Sequence, residues 1–232
     1  MKIALFILHQ KTSEAGSIAI KLKKRGFKFD IVRPSLGEEL PTELNQYKAI
    51  VVFGGPMSVN DKDEYMQKEI AWVGQVLKTE VPFLGICLGA QLLAKYLGSE
   101  VKTNSNNFSE IGFFKIQPVN KGIKMFKSQE IFYQFHSEGF DLPPDCELLA
   151  KGDIFNNQAF KYKNCYGLQF HPEVNIYLHL KWLFLVLIKK PHVLFRKGAQ
   201  NFLYQLILRL RYNSSISRWL DNFLDNYLLK EL

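Results

Sequence analysis

The sequence predicts an α/β fold: an open, mostly parallel sheet covered by helices on both faces, with a small antiparallel β region and a helical C-terminus. Three observations predict it. Near-continuous apolar runs alternate with helical-period segments through the first hundred residues, the pattern of buried parallel strands and crossover helices. From about Val101 to Phe170 the runs shorten, with turns between them. Beyond Ile176 the spacing is helical again. With no repeat, low-complexity tract or linker, residues 1–232 read as one domain.

Ile3 to Leu8 is the first strand, and the opening MKIALFILHQ lacks the small-residue cleavage site of a signal peptide. Ser13 to Gly26 has helical spacing and stops at Gly26. Phe29 to Val32 and Ala49 to Phe53 are the next strands, the latter ending in Gly54-Gly55-Pro56. Asp61 to Thr79 is an amphipathic helix with Asp61 as its expected N-cap. Val81 to Ile86 is a fourth parallel strand, followed at once by a helix over Leu88 to Leu97. Short strands follow at Gly112–Ile116, Glu130–Phe135, Glu147–Ala150, Ala159–Tyr162 and Tyr166–Phe170. The helical tail should break near Pro191 and again around Asn213-Ser214-Ser215.

Composition narrows the function classes. Of 232 residues, 47% are hydrophobic and 22% charged, as in globular rather than disordered or fibrous chains. The three cysteines, Cys87, Cys146 and Cys165, are too scattered for a disulfide framework or zinc site, so a reduced, cytoplasmic chain is expected. Of the net +8, +6 falls in residues 176–232. There the basic residues are interleaved with apolar ones, which favours a solvated helical face over a nucleic-acid arm. The longest apolar run, Trp182 to Ile188, is far short of the ~20 residues that span a bilayer. Trp182, Leu183, Leu185, Val186, Phe202, Leu203, Leu206, Ile207, Trp219, Leu220, Phe223 and Leu224 recur at helical intervals. They are expected to pack on the α/β core or on a second copy of the chain.

The chemistry-bearing stretch is Gly85-Ile86-Cys87-Leu88-Gly89-Ala90-Gln91, an apolar strand turning directly into a helix. A free cysteine is usually a buried structural residue. Glycines on both sides of this junction instead suit a strained strand-to-helix turn that lifts a nucleophile to a helix N-terminus, where backbone dipoles favour a thiolate. A cysteine nucleophile needs a base. His171 ends the last short strand and opens His171-Pro172-Glu173, so Glu173 can orient its ring. His136 is the rival, read as a pocket residue because its nearby acid lies in a longer loop. Acyl chemistry also needs donors for an oxyanion, and the N–H groups of Gly55 and Leu88 would supply two.

Taken together, Gly-Gly-Pro after a strand, Gly-Ile-Cys-Leu-Gly-Ala-Gln at the elbow and Gly-Leu-Gln-Phe-His-Pro-Glu-Val near residue 170 resemble the signature blocks of class I glutamine amidotransferases. Glu110-Ile111-Gly112 and the closing Trp219-Leu220-Asp221-Asn222-Phe223-Leu224 resemble the single-domain branch similar to the amidotransferase domain of GMP synthase. The resemblance implies a flavodoxin-like sheet and a Cys87–His171–Glu173 triad. Cys87 would form a γ-glutamyl thioester, His171 would shuttle the proton, and Gly55 and Leu88 would hold the oxyanion. Gln91 would hold the α-amino and carboxylate end of the substrate, with Gly54, His136 and Ser137 lining its pocket. No metal or cofactor is implied. The implied partners are glutamine or a γ-glutamyl compound, a synthetase that takes the ammonia, and a second copy of the chain, but no nucleic acid. A stand-alone γ-glutamyl hydrolase and a non-catalytic binding protein are the competing readings. His136-Ser137-Glu138 departs from the His-Gly-Asp of the family block, and the apolar, basic stretch 176–198 matches none of its motifs.

Overall fold

A computed structural model describes residues 2–230. Its central sheet has eight strands in the order β2-β1-β3-β4-β12-β11-β10-β7. The parallel half comprises β1 (Lys2–Ile7), β2 (Phe27–Val32), β3 (Ala49–Val52), β4 (Phe83–Ile86) and β12 (Cys165–Leu168). Antiparallel strands β11 (Ala159–Tyr162), β10 (Glu147–Lys151) and β7 (Gln117–Pro118) extend it. Two antiparallel ribbons stand apart: β5 (Val101–Thr103) with β9 (Glu138–Phe140), and β6 (Glu110–Lys115) with β8 (Ile131–His136). The strands β5, β7 and β9 and the one-turn α4 (Gly122–Met125) are too short to leave a periodic signal in the sequence.

Each central strand alternates its side chains between two apolar cores, one on each face of the sheet. Leu5, Ile7, Ile50 and Val52 pack against α2 (Glu64–Val76) and α3 (Leu88–Tyr96). Ala4, Phe6, Val51 and Ile86 face α1 (Gly16–Lys24) and the C-terminal helix α6 (Phe202–Phe223). Between them α5 (Ile176–Lys189) is capped by the Asn175 side chain, which accepts from the Leu178 N–H at 3.0 Å. Trp219 of α6 is the centre of an aromatic cluster with Phe126, Phe132 and Phe170, and its indole N–H donates to Met125 O at 3.0 Å. Lys21 and Arg25 of α1 pair with Asp221 and Asp225 across the same seam. Among the described residues no helix is long and apolar enough to cross a membrane.

Three expectations are corrected. Helix α2 starts after Asp63, not at Asp61, whose carboxylate instead accepts from the Ser58 N–H at 3.0 Å. The tail breaks at Pro191 but runs unbroken through Asn213-Ser214-Ser215; Ser215 Oγ donates to Tyr212 O at 3.0 Å, satisfying its hydroxyl within the helix. The buried stripe of α6 is also different in its first half. Gln205, Leu208 and Arg209 face inward, whereas Phe202, Leu203 and Ile207 stay 37%, 57% and 61% exposed. The more apolar face of that half points outward and the face carrying Gln205 and Arg209 points inward, the reverse of what periodicity alone predicts. Arg209 is only 2% exposed, lying over the rings of Phe113 and Tyr133.

Candidate active site

Strand register assembles the site. Leu168 pairs with Ile86, Val52 with Gly85 and Ile7 with Val52, so the carboxyl ends of β12, β4, β3 and β1 form one line. The residues that follow these ends are Gln169 to His171, Cys87, Gly54 and His9. This is the edge of an open α/β sheet where ligand crevices form.

Cys87 caps α3 with φ +51° and ψ −105°, a conformation that side-chain-bearing residues rarely adopt. Its N–H donates to Leu168 O at 2.8 Å, which anchors the turn to β12. The flanking glycines allow helix and sheet to touch: a Cβ on Gly89 would lie 2.1 Å from Val52 O. The cysteine is 94% buried and lines a cleft of about 580 Å³.

His171 and Cys87 meet at Gly54. A Cβ there would lie 2.9 Å from His171 Cε1 and 3.4 Å from Cys87 Cβ, so any side chain at 54 would push the imidazole off the sulfur. His171 Nδ1 bonds Glu173 Oε1 at 2.8 Å, and both side chains are 3% exposed. Nε2 is left with no hydrogen-bond partner among the described residues. Burial by itself would lower the imidazole pKa, but the Glu173 carboxylate and the Cys87 sulfur outweigh it and raise the value from 6.5 to about 10. Arg209 of α6 lies within electrostatic reach of Glu173.

The raised value carries a stability consequence. A group whose folded pKa exceeds its unfolded value contributes in full below pH 6.5 and loses that contribution as the pH climbs toward 10. The urea midpoint should therefore fall more steeply from pH 6.5 to 9.5 in the wild type than in Glu173→Gln. Parallel profiles would show that the His171–Glu173 pair does not supply this stabilisation.

His136 is not placed as a base. Its Nδ1 bonds Glu138 O at 2.8 Å and its Nε2 lies 3.0 Å from Glu110 Oε2, so both nitrogens are engaged. It lines the cleft, as do Gly54, Gly55 and Ser137. Gln91 also reaches the cleft, but its amide group is held inside the protein, donating to Glu138 O at 3.0 Å and Gln169 Oε1 at 3.3 Å. Gln169 in turn donates to Cys87 Sγ at 3.7 Å. Sequence reasoning left Gln169 without a role, although it stands two positions before His171 in the same block. It also left His9 unassigned. His9 Nε2 bonds Glu69 Oε1 at 2.9 Å with both side chains fully buried, and Nδ1 lies 3.4 Å from Gly54 O. Among the described residues no group of His, Cys, Asp and Glu could hold a metal ion.

Residues 11–190 match the family model for glutamine amidotransferase class-I. The chain is 31% identical over 175 residues, 74% of its length, to a glutamine-hydrolyzing GMP synthase subunit of Methanococcus maripaludis, of which the match spans 88%. It is 28% identical over 182 residues to the glutamine amidotransferase-like protein YfeJ of Salmonella typhimurium, covering 74% of this chain and 75% of that one. Among solved structures, a glutamine amidotransferase from Thermotoga maritima superposes with a TM-score of 0.88 at 27% identity, over 98% of each chain.

Proposed function

Because the chain belongs to the class I glutamine amidotransferase family, we propose that it hydrolyses the side-chain amide of glutamine or a γ-glutamyl relative through a thioester on Cys87. What supports this reading most is the strained cysteine with the His171–Glu173 pair beside it, all three buried at the floor of one cleft.

In this mechanism the Sγ proton passes to His171 Nε2 before the sulfur attacks the amide carbon. The pKa of about 10 keeps that proton on the imidazolium at neutral pH, ready for the departing nitrogen, and Glu173 holds Nδ1 so that Nε2 faces the sulfur. The carbonyl oxygen becomes an oxyanion between the N–H groups of Gly55 and Leu88. The Gly54–Gly55 peptide bond is trans, so the Gly55 N–H points away from the Gly54 carbonyl, beside which His9 Nδ1 lies at 3.4 Å. The C–N bond then breaks, His171 protonates the departing nitrogen, and ammonia or an amine leaves. Water attacks the thioester, gives a proton to His171 and releases glutamate, and the thiol is restored. Gln91 and Gln169 set the far side of the sulfur, with Gly54, His136 and Ser137 on the substrate wall.

Since its relative in Methanococcus is named as one part of a glutamine-hydrolyzing synthase, the ammonia of this chain would pass to a partner synthetase. The three free thiols suit a reducing, cytoplasmic setting. Purified protein should release ammonia and glutamate from glutamine or from γ-glutamyl dipeptides. Release of neither from the whole panel would refute the amidohydrolase reading.

A further inference from the structure

A cleft of about 580 Å³ is far larger than one amino acid needs and falls in the range of larger ligands. Its outer wall is α5. Trp182 sets its ring edge-on to His171 at 5.1 Å between centroids, and Leu185, Val186 and Lys189 follow on the same face of the helix. Lys189 therefore lies two turns, about 10 Å, along the axis from Trp182. Lys190 and Arg196 line the cleft next to it.

Lysines at a helix C-terminus are commonplace, because the backbone dipole favours them there. These differ in facing a cleft whose carboxylates are already engaged: Glu14 with Lys181, Glu138 with Ser58 Oγ at 3.1 Å, and Glu173 with His171. Among the described residues none pairs with Lys189, Lys190 or Arg196. Direction follows from the proton transfer. The departing nitrogen would face His171, whose ring meets Trp182, and the α5 wall runs from there to these cations.

We infer that the α5 wall, with Lys189, Lys190 and Arg196, is a subsite for a carboxylate-bearing leaving group, so that the substrates include, beside glutamine, γ-glutamyl peptides with an acidic residue after the scissile amide. The inference rests on the amidohydrolase reading for its direction, while the cations themselves do not. An extended residue spans about 3.5 Å, so one or two residues beyond the amide bring carboxylates within reach of the lysines.

The test compares γ-glutamyl-glutamate with γ-glutamyl-glutamine, which differ by one charge at nearly equal size. The wild type should prefer the acidic peptide in kcat/KM by about fivefold to tenfold, less at high salt. In Lys189→Ala/Lys190→Ala that ratio should fall toward one, whereas a merely destabilised protein would lose both rates and keep the ratio. Equal rates in the wild type, or a ratio unmoved by the double substitution, would overturn the subsite. Titrating both peptides into Cys87→Ala separates the two readings. A binding preference for the acidic peptide without turnover by the wild type would sink the amidohydrolase reading and keep the subsite. Turnover without any preference would do the reverse.

Discussion

Cys87→Ala should reduce γ-glutamyl hydrolysis by at least about 10⁴-fold while leaving the fold intact, since loss of a nucleophile removes the whole covalent route. Serine should fare little better, because His171 is set for a thiol and a hydroxyl holds its proton far more tightly. A γ-glutamyl-like electrophile should label Cys87 alone. Burial raises the Cys146 and Cys165 thiols to about 11 and about 12, so neither is a thiolate at neutral pH. Labelling at either of them would dismantle the assignment. The backbone adds an independent check. Cys87 holds φ +51°, a strain of about 1–3 kcal/mol for a residue with a Cβ. Cys87→Gly should thus be inactive yet about 1 kcal/mol more stable than Cys87→Ala, as read from denaturant midpoints. Equal stability would mean that the elbow stores no strain.

Trp219→Ala is the substitution expected to cost most stability, about 3–5 kcal/mol. The indole is fully buried, stacked on Phe126 at 5.3 Å and 9°, edge-on to Phe132 at 4.8 Å, and stacked on Phe223 at 5.2 Å. Removing it opens a cavity between α6 and the sheet and leaves Met125 O without its donor. Trp219→Phe keeps most of the ring contact and should cost about 1–2 kcal/mol, chiefly the lost hydrogen bond. Removing residues 176–232 altogether strips this seam and the α1 ion pairs, and should give insoluble protein. A Trp219→Ala midpoint within about 0.5 kcal/mol of wild type would show that the helix is appended rather than integral.

The elements with local signatures were legible. Apolar runs bounded by glycine and proline placed the first four parallel strands to within a few residues, and Gly85-x-Cys87-x-Gly89 placed the elbow; the fifth, β12, was read only as a short strand, its parallel pairing with β4 being non-local. Boundaries drifted where the deciding interaction was not local, as at α2, where Asp61 turned to Ser58. The His171–Glu173 contact was also legible, because an acid two residues away near a strand end is a local arrangement.

By itself, then, the sequence determined the parallel strands, the Cys87 elbow and the histidine–glutamate pair, since each depends on residues within one or two turns of chain. Tertiary structure alone decided the rest. His9 meets Glu69 from 60 positions away beneath Gly54, and Arg209 reaches the neighbourhood of Glu173 from another helix. Gln91 lines the cleft with its amide N–H engaged inside the protein, because β9 and β12 bring Glu138 and Gln169 to it. The face of α6 that is buried was likewise undetermined by its own residues. Most apolar residues of its first half lie on the side away from the core, and burial there is set by the ribbon and sheet that it meets, so Gln205 and Arg209 went inside and Leu203 and Ile207 out. Periodicity reports that a helix has an apolar stripe; only what packs against the helix decides whether that stripe is the buried one.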